Sequence, residues 1–226
     1  MVAGQDIQYS IDLVICIDGT GSMMHVIEGV KASALTFHEK LQHKMMEKNK
    51  TVGQLRVKVI VFRDYWADAP DQVMVCYEFF KLPEESSSFS NFINKIKHHG
   101  GGDEPENALE ALALAIRSPW STGQSYEKGR YVILMCTDAS AHPLEKAPKP
   151  SHYPREMPNN FDELTDEWEG LPLDKKRLVL FAPETNPWVE IEENFENMAW
   201  FPSIAGQGLE ESDMEEILEK LAQSCQ

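Results

Sequence analysis

Leu13-Val14-Ile15-Cys16-Ile17-Asp18-Gly19-Thr20-Gly21-Ser22 runs from an apolar stretch into a carboxylate, two glycines and two hydroxyls. An unbroken apolar run without alternation predicts a strand over 11–18 that is buried on both faces, as in a parallel sheet covered by helices. The two glycines let the chain turn tightly. Asp18, Thr20 and Ser22 then stand at alternate positions and can aim three oxygens at one point. Hard oxygens at one point suit Mg²⁺, with Mn²⁺ or Ca²⁺ as substitutes. The same residue types also favour turns and helix caps for purely local reasons, so a turn-and-cap reading stands beside the metal one.

Working outward, Ile27, Val30, Ala34, Phe37, Leu41 and Met45 recur at three- and four-residue steps and predict one amphipathic helix from about 22 to 47. Strands are predicted over 55–63 and 73–80, able to pair as a hairpin through the loop 64–71. Phe89, Phe92, Ile93 and Ile96 mark a short helix ended by Gly100. The stretch 108–116 is apolar on most faces and predicts a buried helix. Tyr131-Val132-Ile133-Leu134-Met135-Cys136-Thr137 is a second buried strand and ends on Asp138. Further strands are expected at 178–181 and 198–204, and Met214, Ile217, Leu218 and Leu221 mark a closing amphipathic helix.

Strands alternating with helices predict an α/β fold with a single doubly wound, mostly parallel sheet flanked by helices and one short antiparallel edge strand. At 226 residues the chain suits one domain, 1–226. Residues 142–158 carry Pro143, Pro148, Pro150, Pro154 and Pro158 and read as a long extended loop. It leaves from Asp138, so it begins beside the candidate metal. Contact with a partner and a passive excursion both fit it.

Composition narrows the function. A hydrophobic content of 42% supports a core, and a net charge of −16 argues against nucleic acid, whose phosphates need clustered Lys and Arg. It argues equally against anionic membranes. No signal peptide or membrane-length apolar run is visible, and none of the four cysteines has C-x-x-C spacing. Buried, reduced thiols and a cytoplasmic location are the expectation.

Gly100-Gly101-Gly102-Asp103-Glu104-Pro105-Glu106 and the run from Thr137 through Asp138 and Ala139 to His142 complete a pattern. With the first loop, they resemble in order the metal-ion-dependent adhesion site (MIDAS) of von Willebrand factor A (VWA) domains. The resemblance extends in element order over nearly the whole chain, and the motif form is most similar to VWA domains of intracellular signalling and conflict systems. It implies metal ligands at Asp18, Thr20, Ser22, Asp103 and Asp138, one Mg²⁺, and a non-enzymatic protein-interaction module. It further implies a protein partner that completes the coordination with a carboxylate, such as a kinase, a phosphatase or another component of the same system. Asp103 stands where the commonest family pattern has Thr. A third carboxylate leaves the site about one charge negative, and unit charges a few ångströms apart interact by roughly 4 kcal/mol at an effective dielectric of 20. Tighter metal binding and a weaker acceptor for a partner carboxylate are therefore expected.

Each residue also has a plainer reading. Asp103 with Glu106 forms a D-x-x-E capping box, Asp138 suits a strand-ending turn, and Ser22 suits the cap of the first helix. His142 could donate to the site from behind or be a bystander, and His98-His99 without a third ligand indicates no metal. A different class of function is a metal-stapled scaffold that binds through the proline-rich loop. An enzyme is the remaining rival, because Asp18-Gly19-Thr20 is half of the D-x-D-G-T motif of haloacid-dehalogenase-like phosphatases. That chemistry needs a nucleophilic carboxylate two positions earlier, where this chain has Cys16.

Overall fold

The computed structural model describes residues 8–97, 105–121 and 127–225. Its strands are β1 (Gln8–Asp18), β2 (Thr51–Phe62), β3 (Met74–Cys76), β4 (Phe80–Leu82), β5 (Glu127–Cys136), β6 (Lys176–Pro183) and β7 (Met198–Ser203). Its helices are α1 (Met24–Ser33), α2 (Phe37–Met46), α3 (Ser86–Ile93), α4 (Ala108–Ile116), α5 (Phe161–Glu169), α6 (Trp188–Asn194) and α7 (Met214–Ser224).

The sheet runs β3-β2-β1-β5-β6-β7, with β4 also paired to β2. Strands β2, β1, β5, β6 and β7 are parallel, whereas β3 and β4 lie antiparallel to β2. The predicted mixed sheet is therefore present. The expected strand 73–80, however, is two short strands meeting different parts of β2. The chain leaves β1 for β2 on one side and later reaches β5 on the other. That reversal makes the crevice beyond the carboxyl ends of β1 and β5 the place where open α/β sheets bind ligands.

The unbroken apolar runs are explained by cover on both faces. Ile11, Leu13, Ile15 and Ile17 pack with α1, α2, α3 and α7, while Val14 and Cys16 pack with α4, α5 and α6. Every one of those β1 residues is at most 1% exposed. A large-to-small change there, such as Ile15→Ala, costs about 2–5 kcal/mol.

The single helix expected over 22–47 is two. Ala34 and Thr36 make tight i−3 backbone bonds to Lys31 and Ser33, and the Thr36 hydroxyl also reaches the Ser33 carbonyl. Hydroxyl side chains that bond nearby backbone compete with helix continuation, which accounts for the break. Helix α4 begins at Ala108 with Asn107 at its N-cap position, so Glu106 is not the third residue of a capping box. Instead Glu106 bridges to Ala141. Gly100, His98 and His99 lie outside the described residues. Cys16, Cys136 and Cys225 are buried as expected, but Cys76 is exposed on edge strand β3. Among the described residues no helix is long and apolar enough to cross a membrane.

Candidate metal centre

Strands β1 and β5 pair in step from Gln8↔Glu127 to Ile17↔Cys136, so Asp18 and Asp138 leave neighbouring strand ends. Asp18 is fully buried. Its Oδ1 accepts the Thr20 backbone N–H at 2.9 Å, and its Oδ2 accepts the Thr137 hydroxyl at 2.9 Å. Thr20 Oγ1 and Ser22 Oγ are 3.1 Å apart, and Ser22 Oγ donates to Asp138 Oδ1 at 3.1 Å. The Gly208 N–H donates to the other Asp138 oxygen at 2.8 Å.

Four of the five residues read from the sequence thus form one network: Asp18, Thr20, Ser22 and Asp138. The fifth, Asp103, lies outside the described residues, as does Glu104. Ser22 is not the cap of α1, whose N-cap position is Met23 without a side-chain bond; its hydroxyl is turned toward Asp138 instead.

Burial pushes the Asp18 carboxyl up to about 6, opposed by its bonds from Thr20 and Thr137 and assisted by the nearby charge of Asp138. Two carboxylates thus share a buried crevice, and among the described residues no lysine or arginine forms an ion pair with either. Such a pair favours a cation between its members. The donors are all oxygens, the set expected for Mg²⁺ rather than for a thiolate- or imidazole-seeking metal. Neighbouring oxygens around an octahedral Mg²⁺ at about 2.1 Å stand about 3 Å apart. The spacing from Thr20 through Ser22 to Asp138 has that value, so an ion could take the place of the shared protons with small shifts. Among the described residues no three His, Cys, Asp or Glu side chains converge, so the neutral hydroxyls must supply part of any ligand set.

The loop is held from behind by residues the sequence reading did not single out. Arg63, 3% exposed, donates from Nε to the Gly19 carbonyl at 3.0 Å, and from its other nitrogens to the carbonyls of Gln72 and Lys97. A Cβ at Gly19 would meet the guanidinium at 2.7 Å, which is why glycine stands there. Burial pulls the Arg63 guanidinium down, while Asp68, Asp18 and Glu106 support its charge. Thr137 anchors Asp18, and Gly208 anchors Asp138. The described side-chain contacts of His142 are with Asp64, Lys146 and Trp66 and with none of the candidate ligands. It is buried, with Nε2 3.1 Å from Asp64, and it ties the start of the proline-rich loop to the end of β2.

No protein-family model matches the chain. The alpha-protein kinase vwkA of Dictyostelium discoideum is 26% identical over 161 residues, 69% of this chain and 23% of the kinase. The chain thus spans under a quarter of that relative. Two structures of the pilus adhesin SpaC from Lactobacillus rhamnosus GG, one in an open conformation, match over 98% of the chain. Their TM-scores are 0.54 and 0.52 at 10% and 11% identity, and the match takes in about a third of the adhesin. At that identity the likeness is one of fold.

Proposed function

We propose that this chain is a MIDAS-type, VWA-like module that binds one Mg²⁺, or Mn²⁺ or Ca²⁺, and uses it to hold a protein partner. The observation that carries the reading is the pair of buried carboxylates from adjacent parallel strands, joined by the Thr20 and Ser22 loop and, among the described residues, in no direct ion pair with a lysine or arginine. Asp18, Thr20, Ser22 and Asp138 would hold the ion, which would offer a positive acceptor for a carboxylate at the crevice mouth. Thr137, Arg63 and Gly208 position these ligands.

The fold likeness to an adhesin and the sequence likeness to part of an alpha-protein kinase both support a module that works within a larger assembly. The partner we infer is a kinase, a phosphatase or another component of one signalling system in the cytoplasm. The module itself is not an enzyme in this reading. Cys16 sits where a phosphoaspartyl enzyme needs its nucleophile, is fully buried, and has its thiol pushed well up by burial.

The test is binding of a glutamate-containing peptide library with Mg²⁺ present and after EDTA. Retention that requires Mg²⁺ and is lost in Asp18→Asn with the fold intact supports the reading. Unfolding on metal removal favours a structural staple instead, and metal-dependent turnover of a phosphate ester favours an enzyme.

A further inference from the structure

Cations gather at the ends of the strands remote from the metal centre. Lys50 precedes β2, Lys128 and Arg130 open β5, and Lys175 and Arg177 flank the first residue of β6. Tyr9 of β1 joins two of them, with the Lys50 ammonium 5.5 Å and the Arg130 guanidinium 5.3 Å from its ring centroid. Lys175 lies across Gly129, its Nζ 3.6 Å from where a Cβ on that glycine would stand and 5.3 Å from the Tyr131 ring centroid. Lys128, Gly129, Arg130, Asp174 and Lys175 line an open cavity of about 280 Å³. Gly129 and Asp138 lie near opposite ends of β5, about 30 Å apart at the strand rise of ~3.3 Å per residue.

The charges here do not cancel. Burial pulls the Lys50 ammonium down, and Arg130, Lys128 and Lys48 push it the same way, with Cys225 alone opposing them. The Cys225 thiol is itself pushed up to about 12 by burial, so it is neutral near pH 7. Burial and Arg130 likewise pull the Arg177 guanidinium down, and Asp174 is the one carboxylate among the groups that support it. Part of this charge has a structural use. Arg130 donates to the Cys225 carbonyl at 3.1 Å, at the end of α7, and to the carbonyls of Gly129 and Asp174, while Arg177 donates to those of Asp174 and Lys176. Lys48 is paired with Glu219. Lys50, Lys128 and Lys175 remain, and they form no ion pair among the described residues. On a chain of net charge −16, the cavity wall thus holds three cations and one carboxylate.

We infer that this cavity binds a phosphate monoester, with its oxygens on the Lys128 and Lys175 ammoniums and Lys50 adding charge from the rim. Such a group carries about −1.5 to −2 charges and three acceptor oxygens, which suits ammoniums converging from separate strands. A carboxylate brings one charge and two oxygens, too little for this set. Lysine serves a phosphate as a point charge, without the fixed geometry of a guanidinium fork. Nucleic acid fits less well, because its successive phosphates need a track of cations and the chain beyond this cluster is acidic overall. The distance from the metal centre makes occupancy independent of the ion. A phosphorylated side chain of a partner and free phosphate share this chemistry, and the test separates them.

The experiment is fluorescence anisotropy with the fluorescein-labelled peptide Gly-Ala-Ser-phosphothreonine-Ala-Gly, its unphosphorylated counterpart, and inorganic phosphate as competitor, all at one ionic strength. The expected result is saturable binding of the phosphopeptide and not of its counterpart, equal in Mg²⁺ and in EDTA, and displaced by phosphate but not by chloride. A peptide held more tightly than inorganic phosphate assigns the site to a phosphorylated partner, and the reverse assigns it to free phosphate; either supports the proposal. Lys128→Glu and Lys175→Glu should each weaken binding about tenfold, and Lys175→Gln less. Lys95→Glu, past the end of α3, should leave it unchanged. Thermal scans establish that the variants fold, and exposed Lys128 keeps the test open if Lys175→Glu does not. No saturable binding of either phosphate probe, equal binding of the unphosphorylated peptide, indifference to Lys128→Glu, or tighter binding of a short DNA strand would each overturn the proposal.

Discussion

Gly208→Ala tests how the loop before α7 governs the candidate centre. Gly208 has φ +62°, and a Cβ there would stand 2.0 Å from the Ser22 carbonyl oxygen and 2.8 Å from its carbon. Both obstacles are backbone, so neither rotates away. Left-handed backbone costs a non-glycine residue about 1–2 kcal/mol, and forced repacking costs about 1–3 more. Loss of the Gly208 N–H bond to Asp138 adds on the order of 1 kcal/mol, giving a total of roughly 3–6. Gly206→Ala is the control, because φ is +70° but nothing lies within 4 Å of its Cβ. Only the backbone cost of about 1–2 kcal/mol applies to it. Urea unfolding in EDTA measures both variants, and the difference of roughly 2–4 kcal/mol is the signature of the Ser22 contact and the lost Asp138 bond. Mg²⁺ titration should show affinity reduced about 10- to 100-fold in Gly208→Ala, since Asp138 loses the group that orients it. Equal destabilisation of the two variants would refute the steric argument.

Three further outcomes are expected. Arg63→Met leaves the carbonyls of Gly19, Gln72 and Lys97 without their buried donor and should cost roughly 3–5 kcal/mol by urea unfolding, with Arg63→Lys recovering part; a loss under about 1 kcal/mol would contradict this role. Tyr153→Phe removes the hydroxyl that holds the Glu110 carboxyl down against a net upward shift from burial. The Glu110 carboxyl then rises further, and a raised carboxyl loses folded-state stability as pH rises through its folded value. The variant's deficit should therefore be larger at pH 8 than at pH 4, and a pH-independent deficit would contradict it. In the native protein a thiol reagent should label Cys76 first, because it is exposed while Cys16, Cys136 and Cys225 are buried; rapid labelling of all four would contradict the packing.

The elements legible in the sequence are those whose pattern follows from being enclosed. The runs 11–18 and 131–137 are apolar on both faces because helices cover both, and 108–116 is apolar all round because it lies under the loop and against β1 and β2. Helix α5 escaped the reading because only Leu164 and Trp168 are buried in an otherwise acidic stretch, although Asn160 and Glu163 form the cap that could have announced it. Helix α6 is seven residues long, too short for a period to show. The ligand loop was legible because carboxylate and hydroxyls sit two apart in the chain. Arg63 and Gly208 were not, since their role lies in contacts 44 and 70 residues away, with Gly19 and Asp138. The partner of His142 is hidden in the same way, because Asp64 is 78 residues distant.

The central claim is that Asp18 and Asp138 face one another across a cation site. Isothermal titration calorimetry of Mg²⁺ into the metal-free chain, paired with Asp18→Asn and Asp138→Asn, tests it most directly. One site per chain should appear in the wild type, with a higher melting temperature at millimolar Mg²⁺ because the unfolded chain cannot assemble the ligands. Both variants should lose that heat and that shift while remaining folded. Absence of any response of the wild type to Mg²⁺, Mn²⁺ and Ca²⁺, or undiminished binding in both variants, would contradict the account.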